Sequence, residues 1–173
     1  MKILCVLIAS ACWLSPFLAA SDPESRLAEL GLALPPPGKP VANYVPAVRS
    51  GKLLFLAGQL SRNTQSQIIA GKVGGDLDVE QGADAARRCA LGLIAALKAE
   101  LGDLRRVRRI IRVGGFVNSA PGFTQQSAVM NGCSDLLVAV FGDGGRHART
   151  AVGVSELPAR AAVEADLVAE ISD

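Results

Sequence analysis

The chain has 173 residues, a formal net charge of +2, half of its residues hydrophobic and a fifth charged. That length suits one domain, and the composition excludes a disordered chain, which would need few apolar residues and a large net charge. The small positive excess argues against a dedicated nucleic-acid binder, since there is little to neutralise a row of phosphates.

Residues 3–20, ILCVLIASACWLSPFLAA, follow Lys2 and end in Ala19-Ala20 before Ser21-Asp22. A short basic start, an apolar stretch and small residues at its end describe a secretory signal peptide over 1–20, which places the mature chain in the periplasm or outside the cell. Leu18 stands where a small residue is expected at position −3. The alternative is a misassigned start ahead of a cytoplasmic domain. Once this leader is removed, no membrane contact is expected. Cys5 and Cys12 lie in it; Cys89 and Cys133 read as small buried hydrophobes on helices rather than as a disulfide framework.

Asp22-Pro23-Glu24 opens a helix, with Asp22 as its cap. Pro35, Pro36, Pro37 and Pro40 then impose an extended linker, so 21–40 is an N-terminal helix and linker and 41–173 the compact domain. Residues 41–48 and 52–57 read as strands joined at Arg49-Ser50-Gly51; the second is apolar on both faces, as a covered central strand would be. Asp78 and Gln81 form a capping box for a helix carrying Ala86, Ala90, Leu93, Ile94, Leu97 and Leu101, stopped by Gly102-Asp103. A strand over 107–118 follows. A second helix carries Val129, Met130, Cys133, Leu136, Leu137, Val140 and Phe141 on one face and ends at the glycine-rich run 142–145. Two closing strands lie near 150–156 and 161–171, the last alternating apolar residues with Glu164, Asp166 and Glu170. The order β-β-α-β-α-β-β predicts an α/β fold with a single sheet and helices packed on one face. With few charges on the strands, the other face is expected to self-associate.

Arg149 stands where a loop enters a strand, a place from which its planar fork can meet a carboxylate. Were the two closing strands neighbours, turned at Leu157-Pro158-Ala159-Arg160, Arg149 and Glu164 would share the open side of one hairpin. Spacing alone favours an ordinary ion pair over a substrate clamp with a water-handling carboxylate. His147 is the sole histidine and has no nucleophile elbow beside it; it reads as a loop residue near the site that tunes substrate choice. Arg105, Arg106, Arg108, Arg109 and Arg112 interleave with Ile110 and Ile111, as on the solvated edge of a strand.

The run His147-Ala148-Arg149-Thr150-Ala151-Val152-Gly153-Val154-Ser155-Glu156-Leu157-Pro158, with Ala162-Val163-Glu164, resembles the C-terminal signature of the RidA (YjgF) family. Asn43-Tyr44-Val45-Pro46, Ala57-Gly58-Gln59 and Asn131 match further family positions, the last as the start of the second helix. The resemblance implies a chorismate-mutase-like fold and a homotrimer with sites at the subunit interfaces. It implies cofactor-free, metal-free hydrolysis of reactive 2-imino and 2-enamino acids, such as 2-aminoacrylate, to 2-keto acids and ammonia. Arg149 would hold the substrate carboxylate, Glu164 would position or deprotonate the water, and Tyr44 and Asn131 would line the pocket. Ala57 and Ala151 stand where the family often has Ser and Cys. A catalytically weak protein that binds keto acids on the same scaffold is therefore the alternative, with an RNA-cleaving relative behind it.

Overall fold

The structure, a computed structural model, describes residues 22–38 and 42–173; the leader, with Cys5 and Cys12, lies outside the described residues. Local chemistry sets the long helix α2 (Val79–Leu101) as its sequence requires. The Asp78 carboxylate accepts the Gln81 N–H at 2.8 Å, the Gln81 side chain accepts the Asp78 N–H at 3.0 Å, and Gly102 ends the helix in the left-handed region. A second helix, α3 (Gln126–Phe141), packs beside it. Both bury their apolar stripes against one sheet, made of β1 (Ala47–Ser50), β2 (Leu53–Leu60), β3 (Val107–Asn118), β4 (Ala148–Val154) and β5 (Val163–Ile171). The chain order β-β-α-β-α-β-β and the single sheet with helices on one face are as the sequence predicts.

The first strand begins at Ala47 rather than near 41, because Pro46 has no N–H to give a ladder; its carbonyl accepts the Ala57 N–H at 2.9 Å instead. The short helix α1 (Pro23–Glu29) forms, although Asp22 makes no side-chain capping bond. Leu27 enters the core, Leu32 and Leu34 pack against it, and Glu24 pairs with Lys98 of α2.

Strand order within the sheet is β1-β2-β5-β3-β4. The two closing strands are therefore not neighbours, contrary to the hairpin considered from the sequence. β5 takes the centre because one of its faces, Val163, Ala165, Leu167, Ala169 and Ile171, is wholly apolar and buried under the helices. β4 reaches the far edge through the α3 crossover and runs parallel to β3. Register continues across the sheet, Arg149 opposite Val113 and Val113 opposite Leu167, so Arg149 lies on the helix-covered face. Only an edge strand can carry such a charge there with access to water.

Nor is β2 covered on both faces. Leu54 and Leu56 are buried beneath the helices, whereas Phe55 is 42% exposed on the opposite side. That open face carries two apolar groups, Val48, Phe55 and Val168 in one row and Phe116 and Val152 in the row of Glu164, together with the acidic positions of β5.

Candidate active site

Arg149 is held from beneath by one face of α3. Ser127, Asn131 and Ser134 are spaced four and three residues apart, so helical geometry stacks them along that face. Arg149 Nη1 donates to Asn131 Oδ1 at 3.1 Å and to Ser134 Oγ at 2.9 Å, and Nη2 donates to the Ser127 carbonyl at 3.1 Å. A guanidinium has five N–H groups. Nε–H and one N–H of Nη2 have no partner among the described residues. An arginine fixed on one side and free on the other is a preorganised seat for a carboxylate. Asn131 does not start α3, as the sequence suggested; the helix begins at Gln126, which puts Asn131 in its second turn.

Behind this arginine lies His147. Its Nδ1 is 2.6 Å from the Gly145 carbonyl and its Nε2 is 3.0 Å from Ser134 Oγ. The Gly145 backbone lies against α3 so tightly that a Cβ there would fall 2.3 Å from the Leu137 carbonyl oxygen. Cys133 is buried in the same helix, and burial pushes its thiol up to about 12, against the pull of Arg149. Cys89 is buried and likewise raised. Neither is a thiolate nucleophile at neutral pH.

Glu164 stands apart from all of this. On β5 it is opposite Leu60 of β2 and Phe116 of β3, on the open face. Its side chain makes no hydrogen bond or ion pair with any described residue. Burial raises its pKa above the usual carboxylate value, and the neighbouring Asp166 charge adds to the effect. Asp166 is itself engaged, by Arg112 at 3.3 Å and the Gly114 N–H at 3.2 Å. Gly58 makes room for Glu164 to lie across β2, since a Cβ on Gly58 would fall 2.0 Å from Glu164 Oε1. Tyr44 is 49% exposed just ahead of β1, two residues before the Pro46–Ala57 contact that ties this segment to the Gly58 end of β2.

The structure thus brings Arg149 to Asn131, and adds Ser127, Ser134 and His147. It does not bring Arg149 to Glu164 or Tyr44 within one chain. Glu164 is two strands from β4, about 10 Å, and on the opposite face; β1 and β4 are the two edges of the sheet, about 19 Å apart. Ser134 went unnoticed in the sequence, although its place three residues after Asn131 on one helical face was a usable signal. Two surface cavities, of about 540 Å³ beside Asp78 and Phe123 and about 300 Å³ beside Gln59 and Arg88, are lined by none of Tyr44, Asn131, Arg149 and Glu164. Among the described residues no group of three or more His, Cys, Asp or Glu could hold a metal ion, and no helix is long and apolar enough to cross a membrane.

Residues 24–171 match the family model described as "YjgF/chorismate mutase-like, putative endoribonuclease". Protein TCP17 of Trypanosoma cruzi is 46% identical over 157 residues, covering 90% of this chain and 98% of that protein. The solved structure of Atu1372 from Agrobacterium tumefaciens, of unknown function, is 46% identical with a TM-score of 0.80, over 87% of this chain and 94% of that one. A structure from Shewanella oneidensis described as a "putative endoribonuclease" is 34% identical with a TM-score of 0.84, over 87% and 99%.

Proposed function

The chain belongs to the RidA (YjgF) family, and on that premise we propose that it hydrolyses 2-imino and 2-enamino acids to 2-keto acids and ammonia, in sites shared between copies of a homotrimer. The observation that carries the reading is the separation of two complementary halves. One edge of the sheet presents an arginine with donors that no described residue takes up; the other face presents a carboxylate beside Gly58, raised by burial and without a polar partner among the described residues. Neither half is complete, and packing the open face and β1 edge of one copy against the β4 edge of the next would join them.

In the joined site the free donors of Arg149 hold the substrate carboxylate, which places C2 of the imine beside Glu164. The Glu164 carboxylate takes a proton from water as the water oxygen bonds to C2. The C=N electron pair of the protonated imine moves to nitrogen, giving a neutral carbinolamine. Glu164 returns its proton to that nitrogen. As the C–N bond breaks and ammonia leaves, the carboxylate takes the hydroxyl proton, the C2–O bond becomes the carbonyl of the keto acid, and that proton passes to the departing ammonia. An enamine substrate first takes a proton at C3 to become the imine. Every step uses proton transfer and positioning alone, which an arginine and a carboxylate can supply.

The ribonuclease activity in the family description draws less support. Arg105 and Arg112 are already paired with Asp103 and Asp166, which leaves them less available to phosphate. The test is an assay in which an amino-acid oxidase generates imines and ammonia release is followed with and without the protein. Acceleration is expected. Binding of keto acids without acceleration would replace hydrolysis by the binding-protein reading. Light scattering should give about three times the mass of one chain; a stable monomer would remove the shared site.

A further inference from the structure

We infer that His147 is a positioning residue for Arg149, acting through the Ser134 hydroxyl. With the ring neutral, the direction of every hydrogen bond in the chain of contacts follows from its ends. The Gly145 carbonyl can only accept, so His147 Nδ1, at 2.6 Å, carries the proton. The neutral ring then has a bare Nε2, which accepts from Ser134 Oγ at 3.0 Å. With its hydrogen committed to the ring, Ser134 turns a lone pair to Arg149 Nη1 at 2.9 Å. A guanidinium can only donate, so the polarity closes without conflict. Gly145 anchors the far end, because its backbone is pressed against α3 where no side chain fits. Without His147 the Ser134 hydroxyl is free to turn toward its own helix, and Arg149 loses a fixed acceptor.

This extends the proposed function by naming what holds the carboxylate clamp in place, and part of its test is independent of turnover. His147 is the only histidine in the chain, so one pair of imidazole nitrogen-15 resonances reports its tautomer. The intact assembly should show Nδ1 protonated and Nε2 bare. Two substitutions separate the ring's two ends. Gln in His147→Gln can place an acceptor where Nε2 stood, while Asn in His147→Asn can keep only the donor toward Gly145. The Arg149 Nη resonances, assigned by their loss in Arg149→Lys, should remain separate in wild type and His147→Gln and merge by faster rotation in His147→Asn.

Binding of pyruvate, the smallest 2-keto acid, should weaken about fivefold in His147→Asn and about tenfold in Ser134→Ala, and stay near wild type in His147→Gln. For imine hydrolysis KM should rise by the same factors with kcat within about twofold, because the clamp is loosened and Glu164 is untouched. If wild type neither binds pyruvate nor releases ammonia, the proposed function fails, and the tautomer and the Arg149 resonances still decide this inference. A proton on Nε2 in the wild type, or identical behaviour of the Gln and Asn variants, overturns it.

Discussion

The two halves of the candidate site are built in opposite ways. Arg149 is fixed by three hydrogen bonds from one helix before any ligand arrives. Glu164, half-buried on the open face, has no polar partner among the described residues, and its pKa is raised by burial first and by Asp166 second. An anion seat gains from rigidity, since donors already in place need no reorganisation. A proton carrier gains from the reverse, because a carboxylate locked in a salt bridge is a poor base. The fold supplies each condition by position, with one group on an edge strand over a helix and the other on the uncovered side of the central strand.

The contrast is broken most severely at the arginine. Arg149→Ala and Arg149→Lys should both lower kcat/KM for imine hydrolysis by about a hundredfold or more, since an ammonium lacks the planar fork that orients C2. Steady-state kinetics in the ammonia assay checks this; wild-type rates in Arg149→Ala would discard the clamp.

Next comes the space in which Glu164 lies. In Gly58→Ala the new methyl occupies the position of the carboxylate oxygen, so Glu164 must swing away. A loss of kcat of about tenfold or more is expected, with Arg149-dependent pyruvate binding retained.

Replacing the carboxylate sharpens the comparison through pH. The base form of Glu164 is lost as pH falls through its raised pKa, so wild-type activity should decline at a higher pH than an ordinary glutamate would give. Stability runs the other way. A carboxyl group whose pKa is raised on folding contributes stability below its unfolded pKa and loses that contribution as pH rises through the folded value. Glu164→Gln should therefore lower kcat while raising Tm at neutral pH by no more than about 2 °C. Thermal melts at pH 4 and pH 7.5 should show the gain only at the higher pH.

The smallest expected effect is that of chelation. Exhaustive EDTA should leave ammonia release unchanged, and recovery of lost activity by zinc would reveal a metal role.

Much of this architecture was legible locally. The Asp78–Gln81 capping box, the Gly102 stop and the full extent of β3 follow from short-range chemistry. Strand order does not, because it is decided by which strand can fill the centre of the sheet. Glu164 could be assigned to the polar face of β5 from alternation alone. Arg149 could not be assigned to a face, since Arg-Thr-Ala-Val-Gly-Val has no clear alternation and its orientation is set by β3 pairing and by α3. Arg149 and Glu164 stood out by their places on the closing strands, and family resemblance gave them their roles and added Tyr44 and Asn131; their division between two sides of the sheet, and the support from Ser134, required the structure.

On the proposed function, one working site takes Arg149 from one copy and Glu164 from another. Arg149→Ala and Glu164→Gln chains, each impaired alone, can be co-expressed so that mixed assemblies form. Random mixing in equal amounts leaves an intact pair at about a quarter of the interfaces of a cyclic trimer. About that fraction of wild-type ammonia release is expected from the mixture, and activity no greater than the average of the two variants would rule out a site shared between copies.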